Sequence, residues 1–213
     1  MTDSPHGAEP CFDVAHLGHV ELLTDKPEES LDFFVNVYGL TEAGREGDSV
    51  YLRAWDDYEF HTLKLTAART TGMGHVGYRT SSPQALQRRV KVIEEMGLGI
   101  GWTEGDMGHG RSYRFNSPDG HVFELYWDTH KYVAPEAERP ALKNIAQRYH
   151  GRGAAPRRID HFNLLATDVS KIRDFMVKAM GARVTEQIQL DNGRLGGCWF
   201  TVNNKGYDMA CTE

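Results

Sequence analysis

Three histidines occupy matching points of strand-like segments that recur along the chain: His19 in VAHLGHVELLT, His75 in GHVGYRT and His161 in IDHFNLLATD. A carboxylate, Glu124, lies in a later run, HVFELYW. Two imidazoles and one carboxylate bind one face of a divalent first-row cation and leave its other positions open to small molecules, a set suited to iron or manganese. A single strand histidine is more commonly a packing residue. Recurrence at equivalent places is what sets this group apart from that ordinary reading.

The elements that must position these side chains also recur. Each histidine-bearing strand leads into a segment with helical signals. Pro27 with Glu28 and Glu29 opens the first, Ser82-Pro83 opens the second, and both favour helix initiation. Apolar stripes at helical spacing follow: Leu31, Phe34, Val35 and Tyr38; then Leu86, Val90, Ile93 and Met96; then Ile172, Phe175, Met176 and Met180. Gly39, Gly97 and Gly181 stand where a left-handed cap ends a helix, lying 20, 22 and 20 residues after His19, His75 and His161. Short strand-like runs come after each: SVYLRAW and FHTLKLTA, then IGWTEGD, RSYRFNS and HVFELYW, then VTEQIQL, GGCWFTV and YDMAC. Three copies of one unit constitute an internal repeat.

The expected fold is therefore α+β, made of repeated βαβββ modules. Residues 1–13 read as a flexible tail, and 14–133 as an N-terminal domain of two modules, 14–67 and 72–133. The Pro- and Gly-bearing stretch 134–157 reads as a connector, with a short helix expected near Leu142–Tyr149. Residues 158–213 read as the first module of a second domain.

Composition narrows the function classes. A formal charge of −6 and a pI near 5.9 argue against a nucleic-acid partner. The arginines between Arg148 and Arg158 lack the interleaved aromatics that stack bases, so they read as a solvated segment. Three cysteines without CxxC spacing indicate neither a disulfide framework nor a zinc ribbon, and fit a reducing cytoplasm. No apolar run reaches the roughly 18 residues of a membrane span.

In combination, GHVELLTDKPEESLDFFVNVYGL, SVYLRAW, SPDGHVFELYWD and RRIDHFNLLATD resemble the extradiol dioxygenases of the vicinal oxygen chelate superfamily, those of the catechol 2,3-dioxygenase type above all. The resemblance runs from His16 to Glu213 and implies a subunit of four modules, with Fe(II), or Mn(II), in the C-terminal domain. It implies cleavage of a catechol beside its diol by O2 to a 2-hydroxymuconic semialdehyde; separately, apolar surface left on an unpaired module favours a homo-oligomer. On this basis His161 maps onto the first metal ligand, and the other two are expected beyond Glu213, as though the chain were truncated. Tyr207 falls where many members carry a catalytic histidine; a phenol is a poorer proton acceptor than imidazole near neutral pH. The family also implies a metal-free N-terminal domain. Against this, His19, His75 and Glu124 form an alternative metal set, with His61 at the place matching Tyr207. Two other functions remain open at this point: a small-molecule-binding protein without catalysis, and a glyoxalase-like metal enzyme using the N-terminal domain.

Overall fold

The computed structural model describes residues 12–213. The expected tail lies outside them up to residue 11, and Asp13 beyond it pairs with Arg88 and Arg89.

Among the described residues twelve strands form two sheets. The first module contributes β1 (Val14–Thr24), β2 (Thr41–Glu46), β3 (Ser49–Arg53) and β4 (Leu63–Ala67); the second contributes β5 (Gly72–Thr80), β6 (Gly99–Thr103), β7 (Ser112–Asn116) and β8 (Val122–Tyr126). These eight make one mixed sheet in the order β2-β3-β4-β1-β5-β8-β7-β6. The third module contributes β9 (Phe162–Leu165), β10 (Arg183–Gln189), β11 (Leu195–Thr201) and β12 (Met209–Thr212), ordered β10-β11-β12-β9. In every module the first strand lies parallel to the last, and a meander of the other strands continues outward. The first two modules are joined through the antiparallel pair β1·β5. The corresponding edge of β9 carries no strand among the described residues.

The sequence signals act as their chemistry dictates. In α2 (Pro83–Glu95) the Ser82 hydroxyl accepts from the Ala85 N–H, and Leu86, Val90 and Ile93 are buried. In α3 (Val169–Met180) the Asp168 carboxylate accepts from Ser170 and Lys171, and Gly181 ends the helix at φ 66°. The first helix differs from the simple expectation. α1 (Pro27–Asp32) passes into a π-helical turn at Phe33–Val37, so its stripe is only partly covered and Phe33, Val37 and Tyr38 stay exposed. β2, TEAGRE, lacks apolar alternation because it is an edge strand with no buried residue and half of its length exposed, and pattern reading passes over it.

One core spans module two and module three. Tyr78, Phe115 and Phe123 on the first sheet meet Phe162 and Phe175, with Phe123 and Phe175 ring centroids 5.4 Å apart. The segment 134–157 is held against the first module. Ala155 N–H bonds to Tyr38 O, Ala146 N–H to the Asp56 carboxylate, and Arg53 to Gln147. Its one short helical turn is Glu136–Glu138; residues 142–149 form turns instead of the expected helix.

Candidate metal centre and the open third module

The strand registers make the modules strictly comparable. Val20 lies opposite Leu63, Val76 opposite Phe123, and Phe162 opposite Met209. His19, His75 and His161 are therefore equivalent, each one residue before the first member of its pair. One residue past the second member stand Lys64, Glu124 and Ala210; two residues before it stand His61, His121 and Tyr207. The side chains agree with the backbone. The His19 and His61 ring centroids lie 4.5 Å apart, and so do those of His161 and Tyr207.

In the first sheet these positions converge. His19 faces Gly77 across β1·β5, and Gly77 faces Glu124 across β5·β8, so the His19 and Glu124 side chains flank one glycine on one face. A Cβ at Gly77 would overlap the His19 ring, one at Gly74 the Glu21 carboxylate, and one at Gly18 the Tyr126 hydroxyl. The glycines are what let bulky polar groups lie flat on the central strands. His75 Nε2 comes to 3.0 Å from His19 Nε2. The loop between β6 and β7 adds Asp106 and His109: Asp106 Oδ2 is 3.2 Å from His75 Nε2 and 3.8 Å from His19 Nε2, and His109 Nε2 is 3.6 Å from Glu124 Oε1. His75 and Glu124 are wholly buried, and His19, His61 and Asp106 nearly so.

Around this cluster runs a shell of fixed partners. His75 Nδ1 bonds to Glu21 Oε2 at 2.7 Å, Lys64 Nζ donates to Asp106 Oδ1 at 2.7 Å, and Arg114 Nε donates to Glu124 Oε2 at 2.9 Å. Burial would by itself lower the His75 pKa, but the Asp106 and Glu21 carboxylates beside it more than offset this and raise it to about 9. Glu21 moves the opposite way, to about 2, because its bonds to His75 and Thr66 outweigh its burial. His19 is held well below the usual histidine range, first by burial and then by the neighbouring imidazoles, and His61 falls to about 3 for the same causes. Neutral imidazoles with available lone pairs are the form that binds cations.

The third module presents a different picture. The His161 side chain is 40% exposed, with Nδ1 bonded to Asp160 Oδ2 at 2.7 Å. That bond fixes the ring and leaves Nε2 directed elsewhere, as for an imidazole ligand with an outer carboxylate. Asn163 and the 69%-exposed Leu165 continue the same open face. Among the described residues no second imidazole or carboxylate completes a set there. One donor does not hold a metal, so the residues present do not fit a complete iron site at this face.

Sequence reading thus singled out His19, His75, Glu124 and His61, which the fold gathers, and His161 with Tyr207, which it pairs on a separate face. It missed Asp106, His109, Glu21 and Lys64. The signal for the first two is the glycine-spaced GDMGHG, a polar loop hung between two strands; the run IGWTEGD extends a strand to Asp106, but the strand ends at Thr103.

Comparison with known proteins gives the following. Residues 73–131 match the family described as catechol 2,3-dioxygenase-like N-terminal domain. The chain is 44% identical over 202 residues to a metapyrocatechase of Geobacillus stearothermophilus, covering 95% of this chain and 62% of that protein. It is 37% identical over 199 residues to a manganese-dependent 2,3-dihydroxybiphenyl 1,2-dioxygenase of Geobacillus genomosp. 3, covering 92% and 63%. The chain thus spans a little over three-fifths of the length of these curated relatives. Among solved structures it resembles the 2,3-dioxygenase LapB from Pseudomonas sp. KL28 in fold, with TM-score 0.84, 24% identity and coverage of 96% and 72%. It also resembles homoprotocatechuate 2,3-dioxygenase from Brevibacterium fuscum, with TM-score 0.80, 25% identity and coverage of 98% and 63%.

Proposed function

The chain belongs to the extradiol dioxygenases of the vicinal oxygen chelate family, and from that premise we propose that its polypeptide cleaves catechol or a substituted catechol beside the diol, using O2. The observation that carries this reading is the 44% identity to a metapyrocatechase, sustained over 95% of the chain. The proposed cofactor is Fe(II) or Mn(II); one relative is named as manganese-dependent.

His161 is the proposed first ligand and Tyr207 the proposed acid-base or hydrogen-bonding neighbour of the substrate. Asp160 would keep the His161 proton on Nδ1 and Nε2 free to donate. The Tyr207 ring, against the edge of His161, would hold a hydroxyl beside whatever that imidazole binds. The remaining ligands would come from a further module paired across the free edge of β9, as β5 pairs with β1. A glyoxalase-like reaction at His19, His75 and Glu124 is not favoured, because those side chains are sealed from solvent.

The test is oxygen uptake and the yellow absorbance of a ring-opened semialdehyde, from the encoded polypeptide loaded anaerobically with Fe(II) or with Mn(II) and then given catechol and air. Absence of both with either metal, across a panel of substituted catechols, overturns the proposal. His161→Ala abolishes turnover if the assignment is right.

A further inference from the structure

We propose that the N-terminal pair of modules holds a second, structural divalent cation, bound by His19, His75, Asp106 and Glu124. This site is independent of the ring-cleaving reading and stands apart from His161 in the fold.

Three observations carry it. The first is spacing. Donor atoms each about 2.1 Å from a shared ion lie about 3.0 to 3.4 Å apart in octahedral or tetrahedral arrangements. His19 Nε2 and His75 Nε2 are 3.0 Å apart and His75 Nε2 and Asp106 Oδ2 3.2 Å, while Glu124 Oε1 is 4.0 Å from His19 Nε2, within a small side-chain adjustment of closing the set. The second is orientation. Each carboxylate uses one oxygen on a cation of the surrounding shell, Asp106 on Lys64 and Glu124 on Arg114, and its other oxygen, Asp106 Oδ2 or Glu124 Oε1, is buried towards the histidines with no hydrogen bond. His109 Nε2 and His61 Nε2 are likewise buried and unbonded beside them. Orphaned buried polar atoms are costly, and several at one point mark a missing partner. The third is the outer shell: His75 carries Glu21 on its other nitrogen, the carboxylate-imidazole arrangement that orients metal-binding histidines.

Charge tells the same story. Glu21, Asp106 and Glu124 bring three negative charges against Lys64 and Arg114, so the cluster calls for further positive charge. A proton on His75 would supply it but would leave Glu124 Oε1 without a partner. A cation serves both needs. Two imidazoles and two carboxylates suit Mn(II), Fe(II), Co(II) or Zn(II) over calcium or magnesium. A donor set that is closed on all sides gives no place to a substrate, so the ion stabilises the fold and does not turn over.

Co(II) is the probe of choice, because its visible bands report the donor set. The polypeptide is refolded from chelator with and without Co(II), and bound metal, visible spectrum and thermal midpoint are recorded. Wild type and His161→Ala should each retain about one ion at the N-terminal site, with visible bands and a midpoint raised by several degrees. Glu124→Gln, which keeps shape and hydrogen-bonding capacity, and His75→Ala should lose that ion, its bands and the rise in midpoint. Wild type that takes up no Co(II) at this site, or Glu124→Gln that matches wild type in bound metal and spectrum, overturns the proposal. Catalytic activity enters neither outcome, so failure of the ring-cleavage reading would leave this result intact, and the reverse.

Discussion

At the scale of single residues, buried ionisable groups make the sharpest statements. Asp57 is buried beneath the first module, where its carboxylate accepts from Glu59 N–H and the Thr62 hydroxyl. Burial still dominates and pushes its pKa up to about 6. The sign follows from linkage. An acid whose folded pKa is raised costs nothing while both states are protonated, below about pH 4. The native state then loses stability as pH rises from there through about 6, by up to about 3 kcal/mol, and the cost is constant above. Asp57→Asn should remove that slope. In urea unfolding the variant should gain on wild type as pH goes from 4 to 8, the gain trimmed by the acceptor that the amide lacks. Equal pH slopes in the two proteins would refute the assignment of the buried charge to Asp57.

At the scale of elements, the β1·β5 pair decides whether the histidine cluster can exist. Its glycines are conspicuous in the sequence, but their reason emerges only in the register, where Gly77 lies under the His19 ring. The backbone of Gly77 is ordinary strand, so a methyl group there is excluded by the ring alone. Gly77→Ala should cost about 1 to 3 kcal/mol, as overpacking does. His19→Ala should relieve it: the double variant should be more stable than the sum of the two single effects implies, by at least about 1 kcal/mol. Strict additivity in chemical denaturation would sink this account. The helices follow sequence-local rules more closely. Asp168→Ala should lose about 1 kcal/mol with the cap of α3, whereas no local rule foresaw the π turn at Phe33–Val37, which arises where Gly39 and the docked segment around Ala155 fix the end of the helix.

At the scale of the whole molecule, module three shares its core with module two. Phe175 reaches from α3 onto Phe115 and Phe123 of the first sheet. Removing that ring should cost about 3 to 5 kcal/mol. Because the core is continuous, Phe175→Ala should also leave a single cooperative transition, shifted to lower denaturant, with tryptophan fluorescence and far-ultraviolet circular dichroism coincident. The four tryptophans, Trp55, Trp102, Trp127 and Trp199, fall in all three modules, so separate unfolding of module three would appear as two fluorescence phases and contradict a shared core.

Much of this architecture was legible in the sequence because it depends on local chemistry repeated three times. Histidine in a first strand, a capped helix and a closing glycine are each set by neighbours a few residues away. The αL glycine at 181 and the Asp168 cap are read straight from residue type. The three equivalent histidines could likewise be picked out, since each stands at near-constant distance from its helix-ending glycine, and Glu124 is the carboxylate within a strand-like run. What the sequence could not decide is which of these positions share a point in space. Strand register brings His19, His75 and Glu124 together and leaves His161 with Tyr207 on an exposed face. A loop with no periodic signal delivers Asp106 and His109 to the first group. The difference is physical: caps, turns and amphipathic faces are governed by contacts near in sequence, whereas a coordination-like cluster is a property of pairing between strands about fifty residues apart, and exists only once the sheet has closed.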